Sequence, residues 1–137
     1  MALRVNHTGP SVLVLDDVPA IVDELLTLLE LHDIESVGAA TLEGAIVLLA
    51  ANPTIRAISC DLRLGPDWGL DIVERVRNHP ELCNRDLQYL FVTGDNLQAL
   101  ELPGAGYAVL SKPVRPDKLV ATLNTMLRAG STEDHQG

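Results

Sequence analysis

The sequence at residues 11–17, "SVLVLDD", places four consecutive aliphatic residues directly before two aspartates. A short, continuous apolar run of this kind is typical of a strand that is buried on both faces of a parallel sheet. The acids at its C-terminal end indicate that the strand ends at a polar cleft. We therefore predict a central β-strand that delivers Asp16 and Asp17 to this cleft.

Four further runs of the same kind follow, and helical patterns alternate with them. The predicted strands after the first are residues 34–40, 55–61, 87–95 and 106–113, and the predicted helices are residues 18–33, 42–52, 69–80 and 115–130. Pro19 suits the start of the first helix, Thr41 can cap the second, and Gly130 is a stop signal for the last. This alternation predicts an α/β fold in which a parallel sheet carries helices on both faces.

One interval breaks the alternation. Residues 96–106 should contain a helix between the fourth and fifth strands, but Pro103, Gly104 and Gly106 interrupt them. We expect a shortened or irregular fourth helix of about one or two turns there. The predicted organisation is one domain over residues 11–130, with an N-terminal extension at residues 1–10 and a polar C-terminal tail at residues 131–137.

The composition limits the classes of function. The chain has 137 residues, a formal net charge of −9 and only 10 Lys and Arg residues, which argues against a nucleic-acid partner. No apolar run is long enough to cross a membrane and the N-terminus lacks the apolar stretch of a signal peptide, so we expect a soluble, cytoplasmic protein. Cys60 and Cys83 form no metal-binding or redox motif, and Cys60 is expected to be a buried packing thiol.

Polar residues follow the predicted strands where each strand ends. Asp16 and Asp17 follow the first strand, Asp61 ends the third, Thr93 lies near the end of the fourth, and Lys112 lies near the end of the fifth. In an open parallel sheet the ligand site lies beyond the carboxyl ends of the strands. The strand assignment therefore brings three carboxylates, a hydroxyl and an amine to one edge of the sheet.

This set of groups predicts a particular chemistry. Three carboxylates that lie close together repel one another unless a cation neutralises them, and oxygen ligands of this kind suit Mg²⁺. A carboxylate beside Mg²⁺ can act as a nucleophile toward phosphorus, and an amine and a hydroxyl can then hold the phosphoryl oxygens. The sequence therefore predicts a site that carries a phosphoryl group.

Four blocks of the sequence, "VLVLDD", "CDLRLG", "FVTGD" and "VLSKPV", resemble the signature blocks of a two-component response-regulator receiver domain. The resemblance covers residues 11–128 and extends to the receivers of hybrid histidine kinases, so either a stand-alone receiver or one from a hybrid kinase is expected. It implies a doubly wound, five-stranded sheet in the flavodoxin-like strand order 2-1-3-4-5. The partners it implies are a histidine kinase or histidine phosphotransfer protein and a downstream protein, and it leaves a homodimer open.

The resemblance also assigns roles to site residues. It implies that Asp61 is the phosphoacceptor, that Thr93 is the switch hydroxyl, and that Lys112 pairs first with Asp61 and then with the phosphate. Pro113 would fix the turn after the last strand, through a cis or a trans bond.

The same resemblance implies a Mg²⁺ site built from this chain's acids. Asp17 and Asp61 would bind the ion through carboxylate oxygens, and Arg63 through its backbone carbonyl. Asp16 would bind it mostly through water. Without the other groups opposite, Asp16 and Asp17 could instead simply cap the first helix.

Several positions depart from the family pattern. Val109 occupies the place of the usual aromatic switch residue, and Tyr107, two residues earlier, would lie on the same face of the strand. Arg63 and Asp95 lie two residues beyond Asp61 and Thr93, and we hypothesise that they form a salt bridge across the mouth of the site. The alternative is that both side chains simply point into water. The stretch after Asp61 is expected to be a polar loop, in which Asp67 stabilises the turn before Gly69 and Trp68 is an exposed residue or a partner contact.

The leading prediction is a phosphorylation-controlled binding module that is not an enzyme with a separate substrate. One alternative is a pseudo-receiver that docks partners without phosphorylation, which Val109 and the short fourth helix partly favour. A second is a Mg²⁺-dependent phosphatase of the haloacid dehalogenase type. Its nucleophile belongs to an Asp-x-Asp motif on the first strand, which the sequence Asp16-Asp17-Val18 lacks.

Overall fold

The computed structural model describes residues 9–94 and 107–136, with side chains through residue 128. The elements in chain order are β1 (Val12–Leu15), α1 (Pro19–Leu31), β2 (Ser36–Ala39), α2 (Leu42–Ala51), β3 (Ala57–Asp61), β4 (Arg63–Leu64), β5 (Asp67–Trp68), α3 (Asp71–Arg77), β6 (Gln88–Thr93), β7 (Ala108–Ser111) and α4 (Pro116–Gln136). The irregular helix predicted within residues 96–106 lies outside the described residues.

Five of the strands form one parallel sheet. Their order is β2-β1-β3-β6-β7, which confirms the predicted 2-1-3-4-5 arrangement when the parallel strands alone are counted. The remaining two strands, β4 and β5, pair with each other as a short antiparallel hairpin. This hairpin occupies the stretch after Asp61 that the sequence indicates only as a polar loop.

Alternating side chains of the central strands build a core on each face of the sheet. Leu13 and Leu15 of β1 pack on one face with residues of α2 and α3, while Val12 and Val14 pack on the other with α1 and α4. All four are at most 1% exposed. Burial on both faces explains why β1 is a continuous apolar run rather than an alternating one.

Local signals fix most helix boundaries. Pro19 opens α1, and the Thr41 side chain accepts a hydrogen bond from the Gly44 N–H at the start of α2, as predicted. The predicted stop at Gly130 is wrong, because α4 continues to Gln136. Glycine costs a helix only about 1 kcal/mol relative to alanine, far less than proline, so it does not by itself end one. Among the helices described, none is long and apolar enough to span a membrane.

Candidate functional site

The parallel register brings the predicted polar residues to one edge of the sheet. Leu15 of β1 pairs with Cys60 of β3, and Thr93 of β6 pairs with Ser111 of β7, so the carboxyl ends of these strands lie side by side. The carboxylate oxygens of Asp16, Asp17 and Asp61 accordingly lie within 4.8 Å of one another. The prediction that these acids converge is confirmed.

Asp16 is the most buried member of this acidic cluster, with 5% of its surface exposed, whereas Asp17 is exposed. Its Oδ1 accepts a hydrogen bond of 2.9 Å from the Val18 N–H. Burial raises the pKa of Asp16, the Val18 hydrogen bond opposes that shift, and the nearby Asp61 carboxylate raises the pKa further. The cluster therefore favours a proton or a cation, and three carboxylates at this spacing fit the oxygen ligands of Mg²⁺.

Both oxygens of the Asp61 carboxylate have hydrogen-bond donors. Oδ1 accepts from the backbone N–H of Arg63 at 3.1 Å, and Oδ2 accepts from Nζ of Lys112 at 2.9 Å. The side chain of Asp61 is 9% exposed and that of Lys112 is 41% exposed. The hydrogen bond to Asp61 raises the pKa of Lys112, which keeps the amine charged.

The chain around Lys112 ties the ends of β6 and β7 together. The backbone N–H of Lys112 donates to the carbonyl of Thr93 at 2.8 Å, and the Lys112–Pro113 peptide bond is cis. Thr93 itself is 1% exposed. Thr93 and Lys112 thus lie beside each other at the same edge of the sheet as the acidic cluster.

Comparison with known proteins agrees with this arrangement. Residues 12–124 match the family model described as the response regulator receiver domain. The chain belongs to that family. It is a receiver domain of two-component signalling, as the resemblance of the sequence blocks implies.

Individual relatives of this receiver domain support the assignment. The two-component response regulator PprB of Pseudomonas aeruginosa is 32% identical over 123 residues, which are 85% of this chain and 43% of that protein. A response regulator receiver protein from Pseudomonas putida is 30% identical, with a TM-score of 0.73 over 86% of this chain and 98% of that one. A receiver domain protein from Clostridium thermocellum shares the fold with a TM-score of 0.78 at 21% identity, over 90% of this chain and 98% of that one.

The hairpin after Asp61 is a feature of the site that the sequence does not predict. Its turn lies at Gly65, which has a φ of 63°, and a positive φ at the first central position suits a two-residue hairpin turn. Asp67, predicted only as a turn residue, pairs with Leu64. Trp68, predicted as an exposed loop residue or partner contact, is half-buried and packs against the core, because the hairpin folds its ring inward.

Tyr107 and Val109 both pack against the same core, so they lie on one face of the receiver, as predicted. The Tyr107 ring makes edge contacts with Phe91 and Tyr89, at centroid distances of 5.3 and 5.8 Å. Tyr107 is therefore held within an aromatic cluster on the face of β6. The predicted salt bridge from Arg63 to Asp95 cannot be described, since Asp95 lies outside the described residues.

A cavity of about 730 Å³ opens beside the acidic cluster. Its polar wall includes Asp16, Asp61 and Lys112, and its apolar wall is shared among β1, α1, β6, α4 and the segment before α4. Ser59, which is 3% exposed and also lines the cavity, was missed by the sequence prediction. The spacing in the sequence could have indicated it, because Ser59 lies two residues before Asp61 and so shares its face of β3.

Proposed function

We propose that this receiver domain accepts a phosphoryl group on Asp61, in a Mg²⁺-dependent reaction, from a histidine kinase or a histidine phosphotransfer protein. The observation that supports this proposal is the environment of Asp61. Lys112 binds one of its oxygens at 2.9 Å, and the carboxylates of Asp16 and Asp17 lie within 4.8 Å. Such an arrangement combines a nucleophile, a cation for the phosphoryl oxygens and the ligands for a metal ion.

In the proposed transfer, a carboxylate oxygen of Asp61 attacks the phosphorus of a phosphohistidine. An O–P bond forms, the N–P bond of the donor breaks, and its electron pair stays on the donor imidazole. Lys112 then moves its hydrogen bond from the carboxylate to a phosphoryl oxygen, and the Thr93 hydroxyl donates to another.

The groups that would hold Mg²⁺ are the carboxylates of Asp16, Asp17 and Asp61 and the backbone carbonyl of Arg63. When bound, the ion offsets the negative charge of the carboxylates and of the phosphoryl oxygens. The exposed position of Asp17 supports the proposal, because it leaves one side of the acidic cluster open to solvent for the ion to enter.

The proposed output is a change in the protein-binding surface near β6 and β7, which a downstream protein reads. Thr93 ends β6, and the hydrogen bond from the Lys112 N–H to the Thr93 carbonyl links it to the end of β7. A shift of either side chain toward a phosphoryl group is therefore transmitted to both strands. Tyr107, in contact with Phe91 of β6, lies just before β7 on the face that would change.

Labelling of the purified chain with acetyl phosphate tests the proposal. We expect a mass increase of one phosphoryl group with Mg²⁺, none with EDTA, and none in Asp61→Asn. Asp67→Asn is the matched control, because Asp67 is an exposed acid of β5 in the same hairpin region and should label normally. Labelling of the Asp61→Asn variant would contradict the assignment of the phosphoacceptor.

A phosphorylation-independent docking module is the second candidate, favoured by Val109 at the usual aromatic position. It predicts no Mg²⁺-dependent labelling of the wild-type chain and unchanged partner binding in Asp61→Asn. The same labelling experiment therefore separates the two functions.

A further inference from the structure

Arg63 and Trp68 face each other directly across the β4–β5 hairpin. The guanidinium carbon of Arg63 lies over the indole, 5.9 Å from the ring centroid. This is the geometry of a cation–π contact. Arg63 is exposed and Trp68 is half-buried, so the indole forms a fixed platform for a long, exposed side chain.

The hairpin that presents this pair is anchored to the phosphoacceptor at its base. The Arg63 N–H donates to Oδ1 of Asp61, and the Gly69 N–H donates to the Leu62 carbonyl at 2.6 Å. A Cβ atom at Gly69 would also meet the Asp61 carbonyl, so the end of the hairpin lies against the Asp61 backbone. The position of the Arg63–Trp68 pair relative to the site is thus set by short contacts.

Arg63 has the reach to leave Trp68 for a group on Asp61. The Arg63 N–H donates to Oδ1 of Asp61 at 3.1 Å, so the backbone of Arg63 lies close to that carboxylate, within the span of a side chain as long as arginine. A guanidinium binds phosphoryl oxygens through charge-assisted, bidentate hydrogen bonds.

We propose that Trp68 is a positioning residue that holds the Arg63 guanidinium away from the phosphorylation site, and that a phosphoryl group on Asp61 competes with the indole for it. This inference rests on the proposed function. The indole and the phosphoryl oxygens then compete for the same guanidinium. Trp68 thereby controls the time for which Asp61 stays phosphorylated.

The effect on lifetime follows from the hydrolysis step. Water attacks the phosphorus, the P–O bond to Asp61 breaks with its electron pair left on the carboxylate, and inorganic phosphate takes up the protons of the water. A guanidinium on the phosphoryl oxygens stabilises the phosphorylated state and obstructs the approach of water. Removing the indole increases the share of Arg63 at the phosphoryl group and so lengthens the lifetime.

A double-variant cycle on the lifetime of the acetyl-phosphate-labelled chain tests this inference. We expect Trp68→Leu to lengthen the lifetime about two- to fivefold, the change that loss of an exposed cation–π contact can produce, and Trp68→Phe to give an intermediate value. Arg63→Ala should shorten it, and adding Trp68→Leu to Arg63→Ala should change nothing further. An equal effect of Trp68→Leu in both backgrounds would overturn the inference, since Trp68 would then act through hairpin stability.

Fluorescence of Trp68, the one tryptophan of the chain, supplies a readout independent of lifetime. Beryllofluoride with Mg²⁺ should change its emission in the wild-type chain as the guanidinium leaves, and should change it much less in Arg63→Ala. Equal changes in both would overturn the competition between indole and phosphoryl group. A wild-type chain that takes no label would instead refute the proposed function itself, whereas a labelled chain insensitive to Trp68 refutes only this inference.

Discussion

Nζ of Lys112 lies 2.9 Å from Oδ2 of Asp61, and the two residues are 51 positions apart in sequence. The carboxylate is nearly buried and the amine is less than half exposed. A buried carboxylate is costly unless it is paired and hydrogen-bonded. Lys112 therefore orients Asp61 and stabilises its ionised form at the edge of the core.

Lys112→Met should lower the free energy of unfolding by about 1–2 kcal/mol, because it removes a charge-assisted hydrogen bond that is partly screened by solvent. It should also reduce labelling of Asp61 by acetyl phosphate, since no other described amine contacts that carboxylate. Urea denaturation and mass spectrometry measure the two effects. Lys118→Met is the control, because Lys118 is exposed in the first turn of α4. Equal losses in both variants would contradict a specific role for Lys112.

Asp16 predicts a pH dependence of stability in the metal-free chain. Burial raises its pKa above the ordinary value of 3.8, so its contribution to stability is fully present below that pH and is lost as the pH rises through the raised pKa. Asp16→Asn removes the ionisable group and with it this pH-dependent loss of stability. The asparagine keeps a side-chain oxygen that can accept the hydrogen bond from the Val18 N–H.

The measurement is urea denaturation of both proteins in EDTA between pH 4 and pH 7. The advantage of Asp16→Asn in the free energy of unfolding should grow as the pH rises. Adding Mg²⁺ at pH 7 should stabilise the wild-type chain more than the variant, because the ion favours the ionised carboxylate. A stability difference that does not vary with pH would contradict the raised pKa.

The sequence was sufficient to predict the parallel sheet and the convergence of the acids, and the resemblance to the receiver family implied the strand order. The reason is that β1 and β3 are continuous apolar runs ending in Asp16 and Asp61, and parallel register then fixes where those ends meet. Lys112 could be placed at the same edge by the same logic. Because β6 lies between β3 and β7, the contact of Lys112 with Asp61 does not follow from strand pairing, and the resemblance implied it.

The β4–β5 hairpin was not predictable in this way. Two-residue strands are too short to show a hydrophobic period, and the stretch from Arg63 to Trp68 reads as a polar loop. What forms the hairpin is the positive φ of Gly65 together with the packing of Trp68 on the core, which are tertiary features. The continuation of α4 past Gly130 was also missed, because a single glycine is only a weak stop signal.

Gly69→Ala should disturb Asp61 directly. A Cβ atom at this position would meet the Asp61 carbonyl and would lie 2.9 Å from Sγ of Cys60, so the backbone of Asp61 must shift. We expect a loss of about 1–3 kcal/mol in the free energy of unfolding, typical of overpacking, together with slower labelling of Asp61. Denaturation and acetyl-phosphate labelling measure these effects, and a wild-type labelling rate would show that Asp61 does not depend on this close approach.

Arg85, in contrast to Gly69, is important for stability but lies far from Asp61. Its guanidinium donates to the carbonyls of Leu49, Asn52 and Ile55, near the end of α2 and before the start of β3. These groups lie toward the amino ends of the strands, at the other edge of the sheet from Asp61.

Arg85→Met should therefore lower the free energy of unfolding by about 2–3 kcal/mol, because it removes the charge-assisted hydrogen bonds from Arg85 to three partly buried carbonyls. Labelling of Asp61 should stay at the wild-type rate under conditions where the variant is folded. Arg77→Met is the matched control, since the ion pair of Arg77 with Glu74 at 3.6 Å is exposed and its loss should cost less than about 1 kcal/mol. Thermal denaturation measures the stability of the two variants, and the acetyl-phosphate assay measures the labelling rate of Asp61. Slow labelling of folded Arg85→Met would mean that the α2–β3 connection influences Asp61 across the whole length of β3.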